Sequence, residues 1–229
     1  TYGCFLTISA ASSPSSISVS VSPSGTVFVP SGSSQWVYFN APGSVTTSSG
    51  SSSQYWYEFQ YWEISFSGTG STNLPSNPYE STNTKPSVYY TCPSGLTQNA
   101  TATISGTAYY QKDYITLSGP AQIQGSTTTT ATYTVSWSLS PYSATGESWY
   151  VSYGSNTVTV SVTVNAQNAG GGTIQESATW NTNGVCSTGN AVISSVNPNG
   201  HLSTSVTGTQ NSASIQVTIT VACSSTRST

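Results

Sequence analysis

Apolar and polar residues alternate with a period of two along most of the chain. The clearest runs are residues 17–21, 130–137, 157–164 and 215–221, where Val, Ile, Tyr or Trp alternate with Ser, Thr or Gln. Such alternation predicts β-strands with one buried and one solvated face. Clusters of Gly, Pro, Asn and Ser separate the runs, and no stretch combines the 3.6-residue period of a helix with a capping signal. The pattern predicts an all-β protein built as an antiparallel β-sandwich.

The sequence opens with an amphipathic strand. One face of this strand carries Tyr2, Cys4, Leu6 and Ile8, at every second position. Phe5 is the apolar exception on the other face. Residues 10–16 are Ala and Ser with one proline, a composition that predicts a flexible spacer. The sequence thus divides into a strand and spacer at residues 1–16 and a sandwich body at residues 17–229.

The body contains more strands than one immunoglobulin-sized sandwich needs. Roughly a dozen strand candidates are present, against about seven to nine in such a unit. One enlarged sandwich with long insertions, or two stacked sandwiches divided near residues 118–120, would accommodate them. We expect the single enlarged body. The strand at residues 1–9 then either folds back onto this body or is lent to a neighbouring copy.

Charged residues are scarce, and their scarcity excludes several classes of partner. Only 4% of the residues are charged, compared with about 25% in average proteins. The basic residues are Lys85, Lys112 and Arg227, too few to neutralise several phosphates, so we expect no nucleic-acid partner. No run of about 18 apolar residues is present, so we expect no membrane insertion of the mature chain, whose export signal would already have been removed.

The same scarcity predicts that acid has a weak effect on stability. The sequence contains six carboxylate side chains. Only groups whose protonation differs between the folded and unfolded states make the free energy of unfolding depend on pH. We therefore expect the fold to tolerate acidic surroundings.

The cysteines indicate disulfides rather than a metal site. They are Cys4, Cys92, Cys186 and Cys223. They form no C-x-x-C pair and the chain has one histidine, so we expect neither a metal nor another cofactor. Two disulfides in an oxidising, extracellular compartment are the better interpretation. Of the three possible connectivities, we favour Cys92 with Cys186 and Cys4 with Cys223.

Two glutamates define an enzymatic alternative, a jelly-roll glycosidase. Glu58 lies among aromatic residues and Glu147 shortly precedes Trp149, so the two could provide the acid and the base that cleave a glycosidic bond. The opposing interpretation places these acids on solvated strand faces. His201 is the single histidine and lacks the sequence context of a catalytic triad. We therefore expect a protein that is not an enzyme.

The aromatic residues allow another alternative, a secreted carbohydrate-binding module. Trp56, Trp62 and Trp149 could stack on sugar rings if they were exposed, although core positions are the commoner role of such residues. Lys85 and Lys112 raise a separate question, because some extracellular pilins link lysine to asparagine by intramolecular isopeptide bonds. Such chemistry needs a buried lysine.

One sequence motif indicates modification. Asn99-Ala100-Thr101 is the single N-x-S/T sequon of the chain, and it lies where a strand is predicted to begin. In an exported protein, Asn99 is therefore a candidate glycosylation site. A chain this rich in Ser and Thr also acquires such a motif easily by chance.

An amphipathic first strand, a spacer, an all-β body and cysteines suited to an oxidising exterior together resemble the thread-type pilins of Sulfolobus-like archaea. The resemblance covers the composition and layout of the whole chain, with residues 1–9 as the donor strand. Members of that family form glycosylated surface filaments and are similar in architecture to bacterial chaperone-usher pilins. Archaeal bundling pilins, which also exchange strands, are an alternative.

The resemblance implies a structural function outside the cell. The chain would polymerise head to tail by donor-strand complementation, in which the first strand of one subunit fills a groove in the next. The inserted side chains would be Tyr2, Cys4, Leu6 and Ile8, and the partners would be identical subunits. Such a filament would support adhesion or biofilm formation. If Cys4 paired with a cysteine of the accepting subunit the filament would be covalent, and an intramolecular bond is equally allowed.

Overall fold

The computed structural model describes residues 1–206 and 209–225, without the side chains of residues 47–49, and Arg227 lies outside the described residues. The described residues form eighteen strands, and no helix long and apolar enough to cross a membrane is found among them. The prediction of an all-β fold is confirmed. In chain order the strands are β1 (Gly3–Ser13), β2 (Ser20–Ser22), β3 (Gly25–Pro30), β4 (Ser34–Asn40), β5 (Ser44–Ser49), β6 (Ser53–Gly68), β7 (Ser71–Thr72), β8 (Tyr79–Ser81), β9 (Ser87–Thr91), β10 (Ala100–Ser118), β11 (Gln122–Gln124), β12 (Thr128–Ser138), β13 (Ser143–Gly154), β14 (Thr157–Gln167), β15 (Thr173–Val185), β16 (Asn190–Asn197), β17 (Gly200–Ser205) and β18 (Ser212–Ser224).

The chain divides into two compact units. The N-terminal unit comprises Thr1–Val45 and Tyr57–Gln111, and the C-terminal unit comprises Thr46–Trp56 and Lys112–Thr229. The divisions fall within β5, β6 and β10, so these strands carry residues of both units. Residues 118–120, where the alternative with two stacked sandwiches would divide the chain, lie at the end of β10 and directly after it, inside the C-terminal unit.

The N-terminal unit is a sandwich of two sheets. In one sheet β1 lies between β3 and β10, β6 also pairs with β10, and β8 pairs with β6. The other sheet has the order β2-β4-β9-β7. Alternate residues of these strands are buried in one hydrophobic cluster. Its buried members are Cys4, Leu6, Ile8, Val29, Val37, Phe39, Ala41, Trp62, Ile64, Val88, Tyr90, Cys92, Ala102, Ile104 and Ala108.

The C-terminal unit is also built from two sheets. One has the order β16-β18-β12-β10 and the other has the order β11-β15-β14-β13-β17. The strands β13, β14 and β15 form an antiparallel meander, in which each strand pairs with the next along the chain. The fully buried valines of β14 are Val158, Val160, Val162 and Val164. This row confirms the strand predicted over residues 157–164.

The other alternating runs have different outcomes. Residues 130–137 and 215–221 lie within β12 and β18, as predicted. Of residues 17–21, only the last two belong to a strand, β2. Ile17 is buried at a turn, and its carbonyl oxygen accepts a hydrogen bond of 2.6 Å from the Ser12 hydroxyl. Side-chain hydrogen bonding to the backbone here favours a turn over a longer strand.

Candidate functional site

The first strand of the sequence occupies a central place in a sheet of the N-terminal unit. β1 pairs in parallel with β10, from Cys4 opposite Ala100 to Ser13 opposite Tyr109, and antiparallel with β3. A parallel pair cannot be closed by a tight turn, so tertiary packing must hold β1 against β10. We call the place that β1 fills, between β3 and β10, the β1 groove.

Three of the four side chains expected to be inserted face the core. Cys4 and Leu6 are 0% exposed, and Ile8 is 1% exposed. Tyr2 precedes β1 and is 50% exposed, so it does not belong to this buried row. The alternation along the sequence therefore locates the buried face of β1 at Cys4, Leu6 and Ile8. It wrongly adds Tyr2 to that face.

The strand is longer than the sequence predicts. Residues 10–13, expected in a flexible spacer, continue β1 and pair with residues 106–109 of β10. Small residues have little strand propensity of their own, so the neighbouring strand imposes the order of this segment. The connection from β1 to β2 is thereby shortened to residues 14–19.

Gly3 is a position of close approach between β1 and β3. A Cβ atom at Gly3 would lie 2.4 Å from the carbonyl oxygen of Val29 and 2.6 Å from the ring of Phe28. Because no side chain fits at such distances, glycine helps to set the register of β1 at its first residue. On the outer face, the rings of Phe5 and Phe28 pack with their centroids 5.2 Å apart.

Each disulfide lies within a single unit. Cys4 of β1 is bonded to Cys92, directly after β9, with their Cα atoms 5.9 Å apart, and Cys186 is bonded to Cys223. The prediction of two disulfides is confirmed, but the favoured pairs, Cys92 with Cys186 and Cys4 with Cys223, are wrong. Each of those pairs would join cysteines of different units. Two disulfides are compatible with an extracellular protein.

Asn99, the candidate glycosylation site, lies beside the start of β1. It is exposed and immediately precedes β10. Its Oδ1 atom accepts a hydrogen bond of 3.1 Å from the backbone N–H of Gly3. An N-linked glycan is attached through the other amide atom, Nδ2, so this hydrogen bond and a glycan are compatible. Modification of Asn99 would therefore place a sugar next to the β1 groove.

The two glutamates of the enzymatic alternative fall in different units. Glu58 belongs to the N-terminal unit and Glu147 to the C-terminal unit. Glu147 is 3% exposed, and its carboxylate accepts a hydrogen bond from the Thr204 hydroxyl. Its side chain faces inward because the register of β13 shifts between Ala144 and Gly146, as at a β-bulge. Glu147 is thus a buried residue and not one of a solvated face.

The remaining candidate groups lie at the surface. Lys85 and Lys112 are both exposed, which excludes them from isopeptide bonds that need a buried lysine. The Lys112 ammonium group lies 4.2 Å from the centre of the Tyr55 ring. His201 is also exposed, and its ring packs 4.4 Å from that of Tyr150.

Exposed aromatic residues lie elsewhere than the sequence suggested. The tryptophans that could stack on sugars if they were exposed are instead buried. Each is at most 5% exposed, and they are Trp56, Trp62 and Trp149. On the outer face of β4 and β9, by contrast, Trp36, Tyr38 and Tyr89 are 42%, 55% and 37% exposed. The ring of Trp36 lies 4.7 Å from that of Tyr89 and 6.2 Å from that of Tyr38. Residues 36–39 are all apolar, so alternation alone does not show which of them face outward.

The geometry singles out the β1 groove as the candidate site. It combines a central strand, two fully buried aliphatic side chains and a disulfide that fastens the strand to the opposite sheet. Within residues 1–206 and 209–225, no group of three or more His, Cys, Asp or Glu side chains could hold a metal ion. No protein-family model, curated protein or solved structure matches the chain.

Proposed function

We propose that this protein is a structural subunit of an extracellular filament, a thread-type pilin that polymerises head to tail. Each subunit inserts β1 into the β1 groove of the adjacent subunit, and the filament supports adhesion or biofilm formation. The observation that carries the proposal is the central place of β1 between β3 and β10. A head-to-tail contact of this kind is heterologous and does not close on itself, so it generates a fibre.

Exchange of β1 between copies preserves its contacts. In the single chain β1 fills its own groove, and β1 of an identical copy offers the same side chains and the same backbone groups. The connection that brings β1 back to its own unit is residues 14–19. Fully extended, a segment of this length spans about 20 Å. We infer that, when this connection is extended, β1 leaves the groove of its own chain and reaches the groove of a neighbour.

The contacts of β1 are sufficient for a durable joint. Ten residues of β1 pair with β10 and six pair with β3. Burial of Leu6 and Ile8 contributes about 1.5–3 kcal/mol for each side chain. Without β1, the facing edges of β3 and β10 would expose backbone groups that invite unspecific pairing. A joint that satisfies these edges and buries these side chains dissociates slowly.

Strand replacement tests the proposal. A variant that lacks residues 1–13 is refolded with a labelled peptide of residues 1–13, or with a control peptide that carries Leu6→Asp and Ile8→Asp. We expect the first peptide to restore the β-sheet circular dichroism and to bind stably, and the control peptide to do neither. The full-length chain is expected to form filaments under negative-stain electron microscopy. The proposal would be overturned if the full-length chain stayed monomeric and the truncated variant bound neither peptide.

A second candidate function is the binding of neutral polysaccharide. It is favoured by the exposed cluster of Trp36, Tyr38 and Tyr89, since aromatic faces stack on sugar rings and β4 and β9 contain no charged residue. Titration with soluble polysaccharides should quench tryptophan fluorescence in the native chain and not in Trp36→Ala. The matched control is Tyr150→Ala, an exposed aromatic residue of the C-terminal unit, which should bind as the native chain does.

A further inference from the structure

We infer that in the filament the disulfide between Cys4 and Cys92 joins adjacent subunits, so that the filament is a covalent chain. This inference rests on the proposed function, because it requires β1 to be inserted into a neighbour. Cys4 belongs to the inserted strand, whereas Cys92 follows β9 and belongs to the body that receives the strand. Exchange of β1 therefore converts a bridge within one chain into a bridge between two chains.

The β1 groove determines where the incoming Cys4 arrives. A slip of the strand by one residue would turn Cys4, Leu6 and Ile8 to the outer face, so burial of this row excludes it. A slip by two residues would move Cys4 along the groove by about 7 Å, which takes it out of reach of Cys92. In the register of the structure the two Cα atoms are 5.9 Å apart, a separation that a disulfide spans.

The chemistry of the link is thiol–disulfide exchange. The thiols of Cys4 and Cys92 form one S–S bond and lose two electrons and two protons to a small-molecule disulfide, which is thereby reduced to two thiols. Both cysteines are 0% exposed when β1 fills the β1 groove of its own chain, and an identical copy of β1 would bury them in the same way. Because exchange requires direct attack of a thiolate on sulfur, burial shields the finished link from reductants in solution. We therefore expect the link to be reduced readily only after the filament is denatured.

The second disulfide provides an internal control. Cys186 and Cys223 both lie outside β1, and their bridge connects the residue after β15 with β18 in the C-terminal unit. Exchange of β1 leaves this bridge within one chain. Substitution of Cys186 and Cys223 by serine should therefore leave the covalent connection between subunits unchanged.

The first experiment uses the native sequence. Equal amounts of ¹⁴N- and ¹⁵N-labelled chains are reduced, mixed, assembled with oxidised glutathione, treated with iodoacetamide and digested with pepsin at low pH. Mass spectrometry should find mixed-isotope pairs of the Cys4 and Cys92 peptides in the statistical proportion, and only same-isotope pairs for Cys186 and Cys223. Electron microscopy of the same sample establishes whether filaments are present.

The outcomes separate this inference from the proposed function. Filaments in which Cys4 and Cys92 are unlinked would overturn the inference and leave the proposed function standing. Filaments with only same-isotope Cys4–Cys92 pairs would overturn both, because β1 would then lie in the β1 groove of its own chain. Absence of filaments under all conditions would count against the proposed function itself. Filaments with mixed-isotope pairs support both.

A complementary pair of variants tests the link between subunits on a gel. Cys4→Ser retains the receiving Cys92, and Cys92→Ser retains the donating Cys4. Each variant alone should run as a monomer on a non-reducing SDS gel, whereas their mixture should give a disulfide-linked dimer and no higher species. The native chain and the Cys186→Ser/Cys223→Ser variant should both give a ladder that reductant collapses to monomer. A mixture of the two single variants that yields only monomer from visible filaments would contradict the inference.

Discussion

The two units bury similar apolar rows but complete their sheets differently. In the C-terminal unit β13, β14 and β15 follow one another, and the short connections at residues 155–156 and 168–172 join each strand to its antiparallel partner. In the N-terminal unit the central strand β1 pairs in parallel with β10, and no turn joins the two. A strand joined to its partner by a tight turn stays with it, whereas β1 depends on its ladder, its side chains and Cys4. The N-terminal unit is therefore the place where strand exchange is expected.

The largest effect on stability and assembly is expected from a charge on the inner face of β1. Leu6→Asp buries a carboxylate in an apolar cluster and should lower the free energy of unfolding of the N-terminal unit by more than about 3 kcal/mol. Filaments should be lost. Thr7→Asp is the matched control, because Thr7 is exposed on the same strand and should change stability little. Thermal unfolding would measure the stability of the two variants, and electron microscopy would show whether each forms filaments. Equal effects of the two variants would contradict the assigned inner face of β1.

The next largest effect is expected at Gly3. Gly3→Ala introduces a Cβ atom that would lie 2.4 Å from the carbonyl oxygen of Val29, so β1 must shift away from β3. We expect a loss of about 1–3 kcal/mol of stability and slower filament growth. Gly154→Ala is the control, since no atom lies within 4 Å of a Cβ placed at this residue of the C-terminal unit. A Gly3→Ala variant that assembles as fast as Gly154→Ala would show that this close contact does not set the register.

Alkaline pH should affect stability through Tyr110 of the N-terminal unit. Burial raises the pKa of Tyr110 from its ordinary value of 10 to about 12. The folded state therefore keeps a proton that the unfolded state releases, so stability is unaffected below pH 10 and falls as the pH rises from 10 to 12. Tyr110→Phe should lower the melting temperature at pH 7, because the hydroxyl donates to the carbonyl oxygen of Pro42, and should flatten the alkaline fall. An unchanged alkaline fall would contradict this role.

The smallest effect is expected from two opposed acids. Glu63 and Glu80 are direct partners across β6 and β8, and like charges at such positions repel. Glu80→Gln should stabilise the N-terminal unit by about 0.2–1 kcal/mol at pH 7. Glu176→Gln in the C-terminal unit is the contrasting variant, because Glu176 accepts a hydrogen bond of 2.8 Å from Gln54, and it should lower stability. Chemical denaturation at pH 7 would measure both, and a loss of stability in Glu80→Gln would contradict the repulsion.

Local alternation predicts the strands well and their partners poorly. Residues 157–164 form β14 because a period of two suffices to bury one face of a strand. The order of residues 10–13 depends instead on pairing with β10, which no local pattern encodes. The bounds of the two units follow no local pattern either, since the divisions fall within the continuous strands β6 and β10 rather than at a Gly- or Pro-rich linker.

The inward-facing residues of the candidate site were predictable from the sequence, whereas their partners were not. The inward row of Cys4, Leu6 and Ile8 follows from alternation, but the partner of Cys4 depends on which strands meet in space. Glu147 faces the core only because of the register shift in β13, and sequence alternation gives no sign of that shift. Trp36 was missed because it lies in an apolar run whose two faces look alike.

The most direct measurement is electron cryo-microscopy of filaments taken from the native cell surface, at a resolution that traces the chain from Gly3 to Pro30. The proposed function predicts that residues 3–13 lie between β3 and β10 of the adjacent subunit, with residues 14–19 bridging the two subunits. Continuous density that returns β1 to the β1 groove of its own chain in every subunit would contradict donor-strand exchange.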